Sequence, residues 1–342
     1  MSKLKVAQDY LESIRQAVTR GADCQNSCRA FLQRRGRKLT DPTRQLDTYL
    51  EQRAASSGNF VSLSRQATCF RFTRTNPAPA GTCERQQHDA TILLVVNEDC
   101  LAAAQRLRTI HQRVGVLNMA NEFNTGGAFS VHAGSQEEYL FRNSSIGLSL
   151  WPHRRPELDE TRPWALGTKL VGRPVPAPAD GGAHGAHPLP HLPLECRSEN
   201  EQWYPWTELG GVVTPQVEVF SIRDTPLPAE AWFDIVGLSV AAQDLRHWQR
   251  SSNRNFDPDL LREKVRTLLY MAVQSNCDAL VLGALGCGAF LNPPEAVARA
   301  FWELLVPEEA EFHRRFATVE FAIIKSSENL SAFRRQFNQA PL

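Results

Sequence analysis

The sequence predicts an α/β protein whose central sheet is mixed and mostly parallel, with helices on both faces. Short uncharged, β-branched runs alternate with segments of helical period, and strand, helix, strand is the repeating unit of a parallel sheet. Two of the runs enter glycine turns that are followed by helix-opening residues. That layout sits where open α/β sheets bind ligands, at the carboxyl ends of strands.

The elements follow in order. Residues 1 to about 60 hold helix-like segments broken by Gly21, Gly36 and the start signal Thr40-Asp41-Pro42, and residues 1–85 read as a helical N-terminal extension. TILLVVN (91–97) is a strand, LAAAQRLRTIHQ (101–112) a helix and VGVLNMAN (114–121) a second strand. Residues 152–201 change character. GRPVPAPADGGAHGAHPLPHLPLE packs prolines, glycines and histidines without period and reads as a surface insertion. Pattern resumes with strands at QVEVFSI (216–222) and WFDIVGLSVAA (232–242) and a helix at LREKVRTLLYMAVQSN (261–276). DALVLGALG (278–286) enters a glycine turn, PPEAVARAFWELL (293–305) is a helix and TVEFAII (318–324) a last strand. Residues 86–342 form the main domain.

Composition excludes several function classes. With 38 Lys plus Arg against 37 Asp plus Glu the formal charge is +1, which gives no footprint for nucleic acid or an anionic membrane. The arginines of the first quarter are interspersed with acids as on solvated helix faces. The apolar stretch 279–291 contains three glycines and falls short of the ~20 residues that a membrane span needs. The N-terminus lacks the apolar core of a secretory signal, so a cytoplasmic protein is expected, with export by a route without a cleavable signal left open. Eight scattered cysteines need no disulfide framework.

Chemistry concentrates in two segments. In the first, Asn118, Asn121 and Asn124 with Gly126 and Gly127 form a turn after a strand, and a helix starting at Ser135 points its positive end at the same cleft. In the second, Gly283, Gly286 and Gly288 form a turn before Pro293 and Pro294 open a helix. Ser135-Gln136-Glu137-Glu138 fits a capping box worth ~1 kcal/mol. The functional reading of the same residues puts a carboxyl group beside an anion-binding loop. Adjacent helix residues project about 100° apart, so the two glutamates are not the paired carboxylates of an ordinary glycosidase; one acid/base plus one positioning group fits better. His184, His187 and His191, and Cys24 with Cys28, are weak zinc candidates beside their reading as loop and helix residues. Trp203, Tyr204 and Trp206 read as core or loop anchors. No metal and no cofactor is expected.

The combination of MANEFNTGG (119–127), QEEYLFRNS (136–144), YPWTELGGVVTPQVEVFSIRD (204–224), SVAAQDLR (239–246) and ALGCGAFLNPP (284–294) resembles the bacterial-type poly(ADP-ribose) glycohydrolases, a branch of the macrodomain superfamily. The resemblance covers roughly residues 90–325. It implies a three-layer α/β/α macrodomain that binds ADP-ribose across the strand ends. Gly126, Gly127 and the Gly286-Cys287-Gly288 turn would hold the diphosphate by backbone amides, and Asn121 and Glu137 would hydrogen-bond the distal ribose. Glu138 would be the catalytic acid/base, its pKa raised by burial and by Glu137. Phe290 would wall the ribose, Asp99 would meet the adenine amino group, and Thr125, Ala128, Gln136 and Ala289 would line the same site. Thr125-Gly126-Gly127-Ala128 stands where the family tends to have three consecutive glycines, so a Cβ stands at one end of the turn. The implied activity is hydrolysis of the glycosidic bond at the distal ribose. The substrate is poly(ADP-ribose) or a protein carrying ADP-ribose on arginine, serine or an acidic residue. A macrodomain that reads ADP-ribosylated proteins without cleaving them is the alternative, and the intact Gln136-Glu137-Glu138 speaks for the enzyme.

Overall fold

The computed structural model describes residues 48–49, 67–80, 88–123, 125–127, 134–150, 195–196, 206, 208–246, 255–324 and 326–338. Most of the expected N-terminal extension, most of the insertion expected over 152–201, Ala128, Asn124, Cys24, Cys28, His184, His187, His191, Trp203 and Tyr204 lie outside the described residues.

Ten strands are β1 Thr68–Phe70, β2 Ile92–Val96, β3 Val114–Met119, β4 Glu195–Cys196, β5 Gly211–Val219, β6 Ser221–Ile222, β7 Thr225–Pro226, β8 Phe233–Val240, β9 Ala279–Leu282 and β10 Thr318–Ala322. Six helices are α1 Cys100–Leu107, α2 Gln136–Asn143, α3 Ile146–Leu150, α4 Pro258–Gln274, α5 Pro294–Leu305 and α6 Ser327–Gln336. Eight strands form one sheet in the order β2-β10-β9-β3-β8-β5-β1-β4, and β6 pairs with β7 as a separate hairpin. The pairings from β2 to β8 are parallel, and those of β5, β1 and β4 are antiparallel. The mixed, mostly parallel sheet read from the sequence is therefore present, with its antiparallel part at one edge.

The structure differs from the sequence reading in several details, among them the end of α1 at Leu107 and the helices α3 and α6, which the sequence reading did not include. β5 starts at Gly211, five residues before QVEVFSI, and its pairing with β8 shifts register between Thr214 and Val217. Pro215 lies in that shift, where a residue without an N–H disturbs the ladder least. Thr68–Phe70, assigned by sequence to the helical extension, is a strand paired with β5, so that stretch belongs to the sheet. Tyr49 is also packed into the domain, its ring stacked 4.5 Å from that of Phe220.

Side-chain alternation along the strands builds two cores, one on each face. On one face Val114, Val116 and Val281 meet Leu101, Ala104 and Leu107 of α1, Leu140 and Phe141 of α2 and Ile146 of α3. On the other, Leu117, Leu238 and Leu280 meet Leu268 and Met271 of α4, Phe301 of α5 and Phe333 of α6. α1 starts one residue before the expected Leu101 and α4 three residues before the expected Leu261. Asp99 caps α1 by accepting from the N–H groups of Leu101 and Ala102, and Asp257 caps α4 ahead of Pro258. The parallel registers place the carboxyl ends of β2, β3, β8, β9 and β10 along one edge of the sheet. The loops leaving those ends carry the candidate site.

Phe301 ties α5 to this core: it is fully buried, with ring centroids 5.1 Å from Phe321 and 6.5 Å from Phe333. Phe301→Ala is expected to lower unfolding stability by about 3–5 kcal/mol, read by denaturant titration. A loss under ~1 kcal/mol would show that the second core does not depend on this ring.

Candidate active site

β3 ends at Met119, the chain turns through Asn121 and Thr125-Gly126-Gly127, and α2 then returns to the sheet with Glu137 and Glu138 in its first turn. Both glutamates are buried, at 2% and 6% exposure. A buried carboxylate needs hydrogen-bond donors, and Glu137 finds them in the backbone of the turn. The N–H of Asn121 donates to Oε2 at 2.9 Å and that of Gly126 to Oε1 at 3.2 Å. Asn121 itself forms a local turn, its side-chain oxygen accepting from the N–H of Phe123 at 2.8 Å.

Gly126 and Gly127 both have positive φ, at 74° and 56°, which an L side chain rarely adopts. At Gly127 space is a second constraint. An added Cβ would stand 3.2 Å from Glu138 Oε1 and 3.3 Å from Glu137 Oε2. The two carboxyl groups therefore converge on one glycine, although they leave the helix about 100° apart. The capping box read from the sequence is also present, the Ser135 N–H donating to Glu138 Oε2 at 2.7 Å. That bond orients the carboxyl group whose other oxygen lies against Gly127. Burial pushes the Glu137 carboxyl well above its ordinary range and the Glu138 charge adds to this, while the N–H groups of Asn121 and Gly126 act against it. Glu137 is the more deeply buried of the two.

Gln136 fastens α2 to the sheet. Its amide nitrogen donates to the Leu117 carbonyl oxygen at 2.5 Å and its oxygen accepts from the Met119 N–H at 2.9 Å. Both ends of this side chain are thus used on β3. Asp99, at the end of β2, accepts the two capping bonds of α1 on Oδ1, and Tyr139 donates to the same oxygen at 2.8 Å.

The second turn follows β9. Gly286 has φ 74°, and a Cβ there would come within 2.3 Å of the Ala242 side chain and 2.7 Å of Asn292 Nδ2, so only glycine fits. Gly288 and Ala289 are exposed, and a Cβ on Gly288 would meet nothing within 4 Å. The N–H of Cys287 is used within the turn, donating to Ala284. Among the described residues, the N–H groups of Gly286, Gly288, Ala289 and Phe290 donate to no backbone carbonyl. Burial raises the thiols of Cys287 and Cys100 to about 12, so neither offers a thiolate at neutral pH. Phe290 lies under Arg246, whose guanidinium carbon is 4.7 Å from the ring centroid while its Nε donates to Asp244 at 2.7 Å.

The structure thus brings Asn121, Thr125, Gly126, Gly127, Gln136, Glu137 and Glu138 together around one turn. It places Gly286, Cys287, Gly288, Ala289 and Phe290 in a second turn and Asp99 in a third loop at the same sheet edge. Sequence reasoning missed the residues that hold these loops. Asn292, 1% exposed, donates to Gln243 at 2.6 Å and closes the second turn. Asn143 and Arg142 hold Asp224 of the β6–β7 hairpin against α2. The one available signal for Asn143 and Asp224 was their place in the motifs QEEYLFRNS and FSIRD. Among the described residues no group of three or more His, Cys, Asp or Glu could hold a metal ion, and no helix is long and apolar enough to cross a membrane.

Comparison with known proteins places this arrangement. The model of the microbial-type poly(ADP-ribose) glycohydrolase catalytic domain matches residues 48–158. No curated protein matches the chain. Among solved structures, a threonine-to-lysine mutant of poly(ADP-ribose) glycohydrolase from Deinococcus radiodurans in complex with ADP-ribose is 30% identical, over 72% of this chain and 84% of that one, with a TM-score of 0.51. A threonine-to-arginine mutant from the same organism, also with ADP-ribose, is 26% identical over 82% and 98% of the two chains, with a TM-score of 0.56. A glutamate-to-alanine mutant of the glycohydrolase from Thermomonospora curvata is 27% identical over 72% and 79%, with a TM-score of 0.53. With that identity over most of both chains, and the family model lying across the strand, turn and helix that gather the two glutamates, the chain belongs to the microbial-type poly(ADP-ribose) glycohydrolase family and has a macrodomain-like fold.

Proposed function

We propose that this protein is an ADP-ribosyl hydrolase that cleaves the glycosidic bond at the distal ribose and releases ADP-ribose from poly(ADP-ribose). The observation that carries this reading is the convergence of Glu137 and Glu138 on Gly127 at the carboxyl edge of the sheet. The Deinococcus relatives carry ADP-ribose in their structures, which supports the choice of ligand.

In this reading the ligand lies across the strand ends. The exposed N–H groups of Gly288 and Ala289, with those of Gly286 and Phe290, face the diphosphate, and the Gly127 backbone approaches it closely because no side chain intervenes. The Gly126 N–H is used on Glu137, so in this reading Gly126 positions the carboxyl group that holds the distal ribose. Asn121 and Glu137 hold the distal ribose, Phe290 walls it, and Thr125 and Ala128 border it. Gln136 fixes α2 on β3. Asp99 offers Oδ2 to the adenine amino group. Glu138 donates a proton through Oε1 to the oxygen leaving the anomeric carbon, an oxocarbenium-like ribose develops, and the resulting carboxylate activates water. Proteins carrying ADP-ribose on arginine, serine or acidic side chains present the same ribose carbon and belong in the same substrate panel. The domain comprises residues 86–342 together with β1.

Release of ADP-ribose from poly(ADP-ribose) by the wild-type protein, lost by at least ~100-fold in Glu138→Gln with ADP-ribose binding kept, is the expected outcome. Glutamine also serves at that position of a capping box, so Glu138→Gln keeps the helix start and isolates the chemistry, whereas Glu138→Ala also loses ~1 kcal/mol of stability. Turnover by Glu138→Gln at the wild-type rate would return Glu138 to its capping role, and binding without release by wild type would make the protein a reader. Gly127→Ala meets both a left-handed backbone and the two carboxylates, so calorimetry should find ADP-ribose binding weakened by at least ~10-fold; unchanged affinity would remove the turn from the site.

The raised Glu137 carboxyl sets a pH dependence. Below its ordinary value of 4.5 the group is protonated in folded and unfolded chains alike and its burial costs little. As pH rises above that value the unfolded chain releases the proton first, so stability falls until the folded group ionises as well. Melting temperatures from mildly acid to mildly alkaline buffer should therefore decline less steeply in Glu137→Gln than in wild type. Parallel profiles would show that Glu137 carries no such linkage.

A further inference from the structure

We propose that Tyr139 is a positioning residue that orients Asp99 for recognition of the purine amino group and locks the neighbouring hairpin against the catalytic helix. The proposal rests on the reading of this cleft as an ADP-ribose site and goes beyond it, because it assigns a function to a side chain that touches no ligand.

The geometry is a two-sided bridge. The Tyr139 hydroxyl donates to Asp99 Oδ1 at 2.8 Å and accepts from the N–H of Arg223 at 3.0 Å. Burial pushes the hydroxyl well above its ordinary pKa, so it remains a donor. Among the described residues, every hydrogen bond that the Asp99 side chain accepts falls on Oδ1, from the N–H groups of Leu101 and Ala102 and from Tyr139. Three donors on one oxygen fix the rotation of the carboxylate and leave Oδ2 as the acceptor that an exocyclic amine meets. The two backbone bonds alone hold Asp99 as a helix cap; the third ties it to α2, one residue after Glu138.

The other side of the bridge holds a strained turn. Arg223 and Asp224 have φ of 53° and 57°, successive left-handed residues at the tip of the β6–β7 hairpin, without a glycine. Such a conformation persists where its surroundings over-determine it. Here they do: Tyr139 takes the Arg223 N–H, Asn143 exchanges two bonds with Asp224 at 2.9 and 3.0 Å, and Arg142 Nε approaches Asp224 at 3.3 Å. The same helical turn therefore sets the acid that reads the base and the hairpin beside it.

The test is a comparison of two ligands, ADP-ribose and its inosine counterpart, in which a carbonyl oxygen replaces the amino group. Wild type should prefer ADP-ribose by about 10- to 100-fold in calorimetry, the worth of one hydrogen bond to a charged acceptor. Tyr139→Phe should shrink that preference to within about threefold, and raise KM for poly(ADP-ribose) by about tenfold with kcat kept within about twofold. Asp99→Asn keeps an oxygen for the cap and presents an N–H where Oδ2 stood, so it should reverse the preference. A merely structural tyrosine would lower the melting temperature and leave the base preference as in wild type, and that result, or a fall in kcat equal to the fall in kcat/KM, overturns the proposal. Absence of ADP-ribose binding by wild type overturns the reading of the cleft itself. Wild-type binding with an unaltered preference in both variants overturns only the assignment of Tyr139 and Asp99.

Discussion

The pairing of the buried Glu137 carboxylate with the N–H groups of Asn121 and Gly126 is the constraint on which the candidate site depends. A carboxylate at 2% exposure costs several kcal/mol unless donors replace its water. The donors here are main-chain groups, so the turn has to present two N–H groups from residues five apart to a single side chain. Doing so sets Gly126 and Gly127 in the left-handed region and carries the chain over the glutamates. It also fixes where α2 begins relative to β3, a relation that Gln136 repeats from the neighbouring position through its bonds to Leu117 and Met119. Remove the pairing and the turn, the helix start and the placement of Glu138 lose their common reference.

Much of this was legible in the sequence, because the signals concerned are local. Strand β3 shows as an uncharged run, the start of α2 as Ser-x-x-Glu, and both turns as glycines at strand ends. The edge of the sheet was harder to read. β1 is three residues long and its partner β5 carries a proline at a bulge, so neither has the clean alternation that marks a strand. Long-range partners were illegible for the same reason in reverse: nothing local announces that the Gln136 amide spans two backbone groups of a strand about twenty residues earlier. Depth of burial is a further quantity that two adjacent glutamates do not reveal in sequence, and here it is greater for Glu137. Asn292 shows the converse, a residue quoted in a motif whose function of closing a turn emerged only from its bond to Gln243.

The two glycine turns solve different problems. Gly127 is required because a side chain would press on the Glu137 and Glu138 carboxyl groups. Gly286 is required because a side chain would strike Ala242 and Asn292, the residues that join the second turn to the segment after β8. One glycine therefore leaves room for the two carboxyl groups, and the other holds two loops at van der Waals distance beside the exposed residues Gly288 and Ala289. Leu291, with φ 61°, shows that the second turn also maintains strain without glycine, as expected where the surrounding bonds fix the backbone.

Helix α2 explains why fold and chemistry are hard to separate in this protein. At eight residues it is too short to be stable on propensity alone, and its buried set includes Glu137, Glu138, Arg142 and Asn143 beside Leu140 and Phe141. An apolar stripe would let such a helix slide by a fraction of a turn at little cost. Directional bonds from Gln136, Glu137, Tyr139 and Asn143 to three different elements do not. Specific hydrogen bonds thus give the helix the positional accuracy that the proposed acid/base chemistry would demand. Glu138 shows the arrangement within a single side chain: one oxygen closes the helix cap, and the bond that closes the cap aims the other oxygen at the cleft. The capping reading and the proposed catalytic reading of Ser-Gln-Glu-Glu are therefore compatible, since the cap would supply the orientation that the proposed proton transfer needs.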